Sequence, residues 1–546
     1  MADVKKLGSF LSISLLLISV LITPQFSFDP VNVPRFVALF SFGSIFFVIC
    51  TWQGKNISRS EHRQIGLLIL GFITWSGISL FLSGINLTEG FFGVTGRQTG
   101  FLTYFSLASI TLYSSLVSNK GNILRISWCL IGCGIIAGLY GLIQILNLDP
   151  VAWPNATYSV FGLFGNPNFH SSFMGMVGSA CFGFLIEPRI QLQIRAIFFA
   201  SFALSIVNIY GTRSQQGYLV LLSGIMVIGF FKLKSISLPK GKLGVYVFLS
   251  FFLSMAILVD LFQKAPWNSK LYENSVSLRG DYWRAGWKIL ESHPIFGVGP
   301  DGFRDYYRQS RDLVTATRPI LDQYNDSAHN VFLDIGTNGG FILLFIYCLI
   351  LLLVIRAIFR ILIREEKYNA PIVVLISAWM AYLAQSIISI NQIGLAVWGW
   401  SLSGLIIGYE INTRIQEKNS GLSRITTNQI VLSTLIGVIS FASALPLVIA
   451  DASFRSTIKS GDVLKIESAV RQWPQSVNRL NFVAQLFREN DFPDRSVVIA
   501  REAVAFNPLN FEAWRELSLQ PKATAEEREN ALLRMRELDP FNPTLK

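Results

Sequence analysis

Runs of roughly 20 predominantly apolar residues, each long enough to cross a bilayer as one helix, recur along this chain from its start to about residue 450. Hydrocarbon offers no water to unpaired backbone groups, so continuous apolar runs of this kind read as helices, while membrane strands would alternate apolar with polar residues. Hydrophobic residues make up 51% of the 546, and mean hydropathy is +0.46. One soluble core could not bury so many runs. We therefore expect an all-α, polytopic transmembrane protein of about thirteen helices, centred near residues 17, 42, 74, 109, 136, 178, 202, 223, 252, 346, 380, 403 and 439. The first run lacks a small-residue cleavage site, so it is expected to be a retained helix.

Loop charge sets the expected orientation. One set of loops, from Lys5 and Lys6 through Lys120, Arg189, Lys232 and Arg364 to Arg424, holds twenty Lys and Arg; the short loops on the other side hold only Arg35, Arg97 and Arg213. Positive loops stay inside, which puts the N-terminus in the cytoplasm and the polar stretch Lys264 to Asn338, with the C-terminus, outside. The net charge of +12 is then mostly a topology signal, and no nucleic-acid motif accompanies it. The cysteines all fall in apolar runs, so neither a disulfide framework nor a metal site is expected, and Cys129 with Cys133 reads as helix packing.

The outside stretch between two membrane blocks is the part able to carry chemistry. It contains Arg279-Gly-Asp-Tyr-Trp-Arg284, then His293-Pro-Ile-Phe-Gly-Val-Gly-Pro-Asp-Gly-Phe303, then Ser327-Ala-His-Asn330 leading into an apolar helix. The first run reads as an amphipathic helix lying on the membrane surface, with Trp283, Trp287 and Leu290 on the apolar side and Arg284, Lys288 and Glu291 on the other. Pro294 limits it, and Gly297, Gly299 and Gly302 then give a tight turn poor in side chains. Gly336 to Gly340 implies a close backbone approach. Asp281, Asp301 and Asp305 read as helix-surface or turn residues, and the outside loops contain no D-x-D pair or ligand cluster.

Three shorter outside segments add candidates. Arg97, in the glycine-rich loop Gly84 to Gly100, reads either as snorkelling to lipid phosphate or as binding substrate. Gly165-Asn-Pro-Asn168 is a turn that would also start a helix with Asn168 as cap, or would offer amide donors to a pocket. Arg213, within Tyr210-Gly-Thr-Arg-Ser-Gln-Gln-Gly217, lies at the hydrocarbon boundary, where a cation is costly unless an anion or carbonyl cluster meets it.

From Ala450 the composition becomes that of a soluble domain. Pro474, Pro508 and Pro540 recur at spacings of 34 and 32 residues, and Ala469-Val-x-x-Trp-Pro474 and Ala503-Val-x-x-Asn-Pro508 resemble tetratricopeptide repeats. We expect a membrane domain over 1–450, including an outer loop over 263–329, and helical repeats over 451–546. Their groove would either take a protein partner or serve as a helical cap with none.

With Gly211-Thr-Arg-Ser214, Arg279 followed by Trp283, the Pro294 to Phe303 run and His329-Asn330 opening a helix, the chain resembles the O-antigen ligase/polymerase superfamily over residues 90 to 410. That resemblance implies a membrane glycosyltransferase of the GT-C type, inverting and without metal or other cofactor, in a bacterial inner membrane. Its members transfer a glycan from an undecaprenyl-type polyprenyl pyrophosphate to an acceptor. It implies that Arg213 and Arg279 meet the pyrophosphate, where guanidinium matches phosphate oxygens in bidentate fashion, and that His329 takes the acceptor proton. Arg284, Asn330, Asn168, Arg97, Trp283 and Gly299 are the accompanying substrate-binding candidates; Asn330 with His329 could instead cap the helix that follows. The acceptor could be glycan, lipid or protein, leaving polymerase of lipid-linked units and protein oligosaccharyltransferase as alternatives. A transporter of bicarbonate or lipid-linked sugar is the alternative of another class; it would call for inverted repeats, broken helices and mid-membrane polar residues.

Overall fold

The computed structural model describes residues 2–59, 61–153, 160–236, 241–246, 248–250, 274–317, 325–414 and 425–545, without the side chains of 2, 3, 56, 59 and 274–278. Among the described residues there is no strand. In order, the helices are α1 (Ala2–Val20), α2 (Asn32–Trp52), α3 (Gly54–Arg59), α4 (Arg63–Leu82), α5 (Leu87–Phe92), α6 (Phe101–Val117), α7 (Lys120–Ile145), α8 (Pro167–Leu185), α9 (Leu192–Gly211) and α10 (Gln215–Ser235). The long polar segment after α10 contributes α11 (Asn274–Ser292), α12 (Phe303–Ser310) and α13 (Leu313–Ala316), and α14 (Val331–Arg364), α15 (Ala370–Ile388), α16 (Ile393–Arg414) and α17 (Thr427–Ser460) follow. The C-terminal part is α18 (Val463–Val470), α19 (Val477–Glu489), α20 (Pro493–Phe506), α21 (Phe511–Ser518) and α22 (Ala525–Leu538).

Every expected helix centre falls inside one of these helices except that near residue 252, which lies outside the described residues. Among the described residues eight helices are long and apolar enough to cross a membrane: α2, α4, α7, α9, α10, α14, α15 and α17. Of the others, α8 and α16 are buried along most of their length. A helix wrapped by other helices has no lipid-facing side, so it can carry Ser, Gly and even Glu410. Gly404 and Gly408 lie against the Thr111 and Ser115 carbonyls, letting α16 and α6 pack backbone to backbone.

Two long helices depart from the expected plan. α14 is interrupted at Gly339 (φ −143°) and Gly340 (φ +71°), where Phe341 N donates to the Pro294 carbonyl (2.8 Å) and Val298 N to that of Thr337 (2.7 Å). The break is the close approach read from Gly336 to Gly340, and it seats the Pro294–Gly299 turn in the helix itself. α17 runs without interruption past residue 450 to Ser460, so the domain boundary drawn there falls inside a helix. Its last turns belong to the second core, where Phe454 packs with Val470, Val477 and Leu480.

The C-terminal helices pack each against the next in the chain, and Pro474, Pro508 and Pro540 each follow the end of a helix (α18, α20 and α22). This unit is docked on α12 and on α5. Asp539 receives both Arg308 (3.2 Å) and Arg311 (Nε, 3.0 Å), Glu512 pairs with Arg308 (2.6 Å), and Asn507 and Asn510 donate to Asp305 (2.8 and 3.2 Å). Arg304 is held between Glu89 of α5 (2.6 Å) and Asp305 (2.8 Å). Burial would raise the Asp305 pKa, but Arg304 and the two asparagines outweigh it and hold it below the usual carboxylate value. Asp305, read above as a surface residue, is therefore part of a buried ionic joint.

Candidate functional site

α11 does not lie as its periodicity implied. Its buried face is Tyr282, Ala285 and Ile289, packed on Phe303 and Tyr307 of α12 and on Ala328, with Leu290 also buried. Trp287 is 48% exposed beside Arg284, Lys288 and Glu291, and Trp283 is only half-buried. The pattern misled because the helix packs on its own loop and not on lipid alone, so tyrosine and alanine take the inner face. Asp281 is buried and paired with Arg284, whose Nε also reaches Asp312 (3.1 Å). Arg284 thus has two carboxylate partners and is half exposed.

Arg279 is buried near the start of α11, and its Nη2 donates to Gln216 Oε1 (3.3 Å) at the beginning of α10. Burial lowers its pKa to about 10. Gln216 in turn donates to Ser172 of α8 (2.8 Å), and Ser214, the N-cap of α10, donates to Asn168 Oδ1 (2.7 Å). The cap of α8 is Asn166, whose side chain accepts from Asn168 N (2.8 Å), with Pro167 at the first helical position; Asn168 is not the cap. Its side chain is free to join the chain of amides and hydroxyls that ties α8 and α10 to α11. Arg213, just before that helix start, is exposed at φ +55°, and its guanidinium has no partner among the described residues.

His329 precedes α14 at φ +49°. Its conformation is held from both sides. Asp334, one turn into α14, accepts from Ser327 Oγ (2.9 Å) and Ala328 N (2.8 Å), and Ser327 Oγ accepts from His329 N (2.9 Å). Asn330 caps α14, accepting from Phe332 and Leu333 N, and donates to the Ile387 carbonyl (2.9 Å), so its amide is used in packing. The imidazole stacks on Tyr282 (5.5 Å between centroids). Burial, then the charges of Arg279 and Arg97, lowers the His329 pKa to about 3, so the ring is neutral at physiological pH.

Arg97 does not snorkel. It is buried, 3.4 Å from Asp301 and 3.6 Å from Asp326. Burial alone would lower its pKa, but Asp301, Asp326 and Asp334 outweigh that and raise it. Asp301, also read as a turn residue, is buried at φ +64° and accepts from Val94 N and Thr99 Oγ1 (both 2.8 Å). Gly299 (φ +88°) is packed under Ser83 and Ile85, a close approach in which a side chain has no room.

The structure thus gathers Arg97, Arg279 and His329 with Asn330 at one site beside the starts of α11 and α14, leaves Arg213 and Asn168 at its α8–α10 edge, and puts Arg284, Trp283 and Gly299 in packing or surface positions. Gln216, Asp301 and Asp334 were missed. The first lay inside the Tyr210 to Gly217 run already singled out; the two carboxylates gave no local signal, because their partners lie in distant segments.

A multi-pass all-α membrane protein with a buried cationic site around a neutral histidine is the class that fold and site define. Residues 200–348, from α9 to the middle of α14, match the family model described as O-antigen ligase, and the match takes in Arg213, Arg279 and His329. It supports a membrane glycan-transfer function within the ligase/polymerase superfamily. Comparison with curated proteins gave no match.

Proposed function

We propose that this chain transfers a glycan from a polyprenyl pyrophosphate carrier to an acceptor hydroxyl at the outer face of the membrane, with inversion at the anomeric carbon. The observation that carries the reading is a neutral His329 within charge reach of two buried arginines. A sugar hydroxyl is a poor nucleophile, and a base placed on it contributes roughly 10²–10⁴-fold. His329 takes the hydroxyl proton as the oxygen bonds to the anomeric carbon. The bond from that carbon to the pyrophosphate breaks, and its electron pair leaves with the phosphate. Arg279 and the unpaired Arg213 stabilise the departing charge, and the N-terminus of α10 beside Arg213 adds backbone donors of the same sign. Without donor, burial and then the charges of Arg279 and Arg97 make His329 a weak base. A bound pyrophosphate offsets the part of the shift due to the two arginines, so the base is strengthened when donor is present.

In this reading the outer face belongs to a bacterial inner membrane and the N-terminus is cytoplasmic. The C-terminal helices are tetratricopeptide-like, and the acceptor is of the ligase type. The break in α14 is a feature a transporter would share, whereas Arg97, Arg279, Asp301 and His329 gather in the loops and at the starts of helices and not along the spanning ones, which suits interfacial transfer better than passage across the membrane. The test is the full chain reconstituted in liposomes with a polyprenyl pyrophosphate-linked glycan and membrane extract as acceptor source. Glycan release from the carrier should require acceptor and fall at least a hundredfold in Arg279→Ala. Release that is equal without acceptor, or unaffected by the substitution, would overturn the reading.

A further inference from the structure

The loop that carries Arg97 has one side in the candidate site and the other on the C-terminal helices. Toward the site, Asp301 receives Val94 N and Thr99 Oγ1, and Arg97 reaches Asp301 and Asp326. Toward the C-terminal helices, Thr95, two residues before Arg97, donates to Ser476 Oγ (2.8 Å). Asn86, the cap of α5, donates to the Phe506 carbonyl at the end of α20 (2.9 Å), and Phe92 at the end of α5 meets the Trp473 ring edge-on (5.3 Å between centroids).

The start of α19 is built around these contacts. Ser476 holds its N-cap position, where a serine hydroxyl ordinarily accepts from the first turn of its own helix. Here Ser476 makes no such bond and is buried against Thr95. Glu89 of α5 supplies the acceptor instead: it takes Val477 N (3.4 Å) while also receiving Asn507 Nδ2 (3.2 Å) and Arg304 (2.6 Å). A carboxylate suits the positive end of a helix. α19 thus gives its capping serine to the loop, and α5 gives its glutamate to α19. The joint between them is not packed solid, since a cavity of about 230 Å³ lies among Asn86, Gly302, Tyr306 and Leu509. Polar tethers across a gap fix a position without merging the core of the C-terminal helices with that of the membrane helices, so the loop can be released while both cores stay folded.

Resting on the transfer reading, we propose that the C-terminal helices are a positioning element of the transfer site, in which Ser476 and Glu89 hold the 93–100 loop so that Arg97 stands beside His329. The charges acting on His329 are those of Arg279 and Arg97, its ring partner is Tyr282, and Asp334 holds its backbone through Ser327. Misplacing a site residue by about 1 Å can cost roughly 10²-fold in rate. Releasing Arg97 also takes a cation away from His329, which then binds a proton more readily.

The test uses the full chain with its native cysteines replaced, reconstituted with polyprenyl pyrophosphate-linked glycan and membrane extract. Asp539→Ala loosens the docking at α12, and Thr95→Cys with Ser476→Cys restores it at one point when oxidised. Transfer per folded protein should fall at least tenfold in Asp539→Ala, recover at least fivefold on oxidation of the cysteine pair in that chain, and be lost again with reductant. The acid limb of the pH–rate profile should move with it, to higher pH by roughly half a unit or more when the loop is free and back on oxidation. A purely structural contribution would change the rate without moving the limb. A bridge that forms yet restores neither rate nor limb overturns the proposal, as does a cysteine pair that fails to bridge in the otherwise native chain. If Asp539→Ala does not accumulate, Ser476→Ala gives a second reading: an unchanged Tm with transfer lowered at least threefold and recovered in Ser476→Thr is expected, and unchanged transfer overturns the positioning role. Bridging in a chain whose His329→Ala form still transfers glycan would instead overturn the transfer reading and leave the docking of the loop standing.

Discussion

His329 is the residue on which local conformation, electrostatics and chemistry meet. Its left-handed backbone is fixed by the Ser327–Asp334 hydrogen bonds, and its ring is kept neutral by burial and two nearby cations. The lowered pKa carries a stability consequence. Unfolded, the ring titrates near 6.5; folded, near 3. Between those values the unfolded chain binds the extra proton, so the stability associated with a neutral His329 is complete above about pH 6.5 and is lost as pH falls toward 3. Thermal unfolding of His329→Gln should therefore lose less Tm between pH 7 and 5 than the parent, and equal slopes would refute the shift. Arg213, Arg279 and His329 were singled out in the sequence by short motifs and by the family that those motifs resemble. Asp301 and Asp334 were not, since a carboxylate announces its role only through partners, here Arg97 and Ser327, that the fold brings to it.

Among the elements, α14 and α12 do the most to build the site. The break in α14 at Gly340 accommodates the Pro294 and Ile295 carbonyls, where a Cβ would collide with backbone. Gly340→Ala combines that collision with an unfavourable positive φ and should cost about 2 kcal/mol or more, read as a lowered Tm and reduced accumulation in the membrane. α12 depends on ion pairs in low-dielectric surroundings. Asp539→Ala leaves Arg311 and Arg308 without their shared, fully buried carboxylate and should cost roughly 3–5 kcal/mol. Limited proteolysis should then release the C-terminal helices; unchanged resistance would mean that the joint is held by packing alone. The glycine positions of the Pro294–Phe303 turn and of α14 could be read from sequence because glycine marks close approach directly. The buried face of α11 could not, since a lone helix gives its moment and not its neighbour, and that neighbour proved to be α12.

At the scale of the whole molecule, the helical character and nearly every helix position follow from hydropathy, because crossing hydrocarbon leaves the backbone few options. The docking of the C-terminal helices does not follow. It rests on Arg308 and Arg311 meeting Glu512 and Asp539, and on Asn507 reaching Glu89 and Asp305, residues far apart in the chain. Orientation is tested by single-cysteine labelling with a membrane-impermeant maleimide in a cysteine-free background. Asp494 and Lys459 should label in intact cells, while Lys367 should label only after lysis, and the reverse pattern would invert the topology. The measurement closest to the central claim replaces His329 and, separately, Arg279 by Ala, confirms membrane levels, and follows cellular glycan by gel together with the lipid-linked donor pool. Loss of product with accumulation of lipid-linked donor in both variants is the predicted result; unchanged product in well-folded variants would contradict glycan transfer at this site.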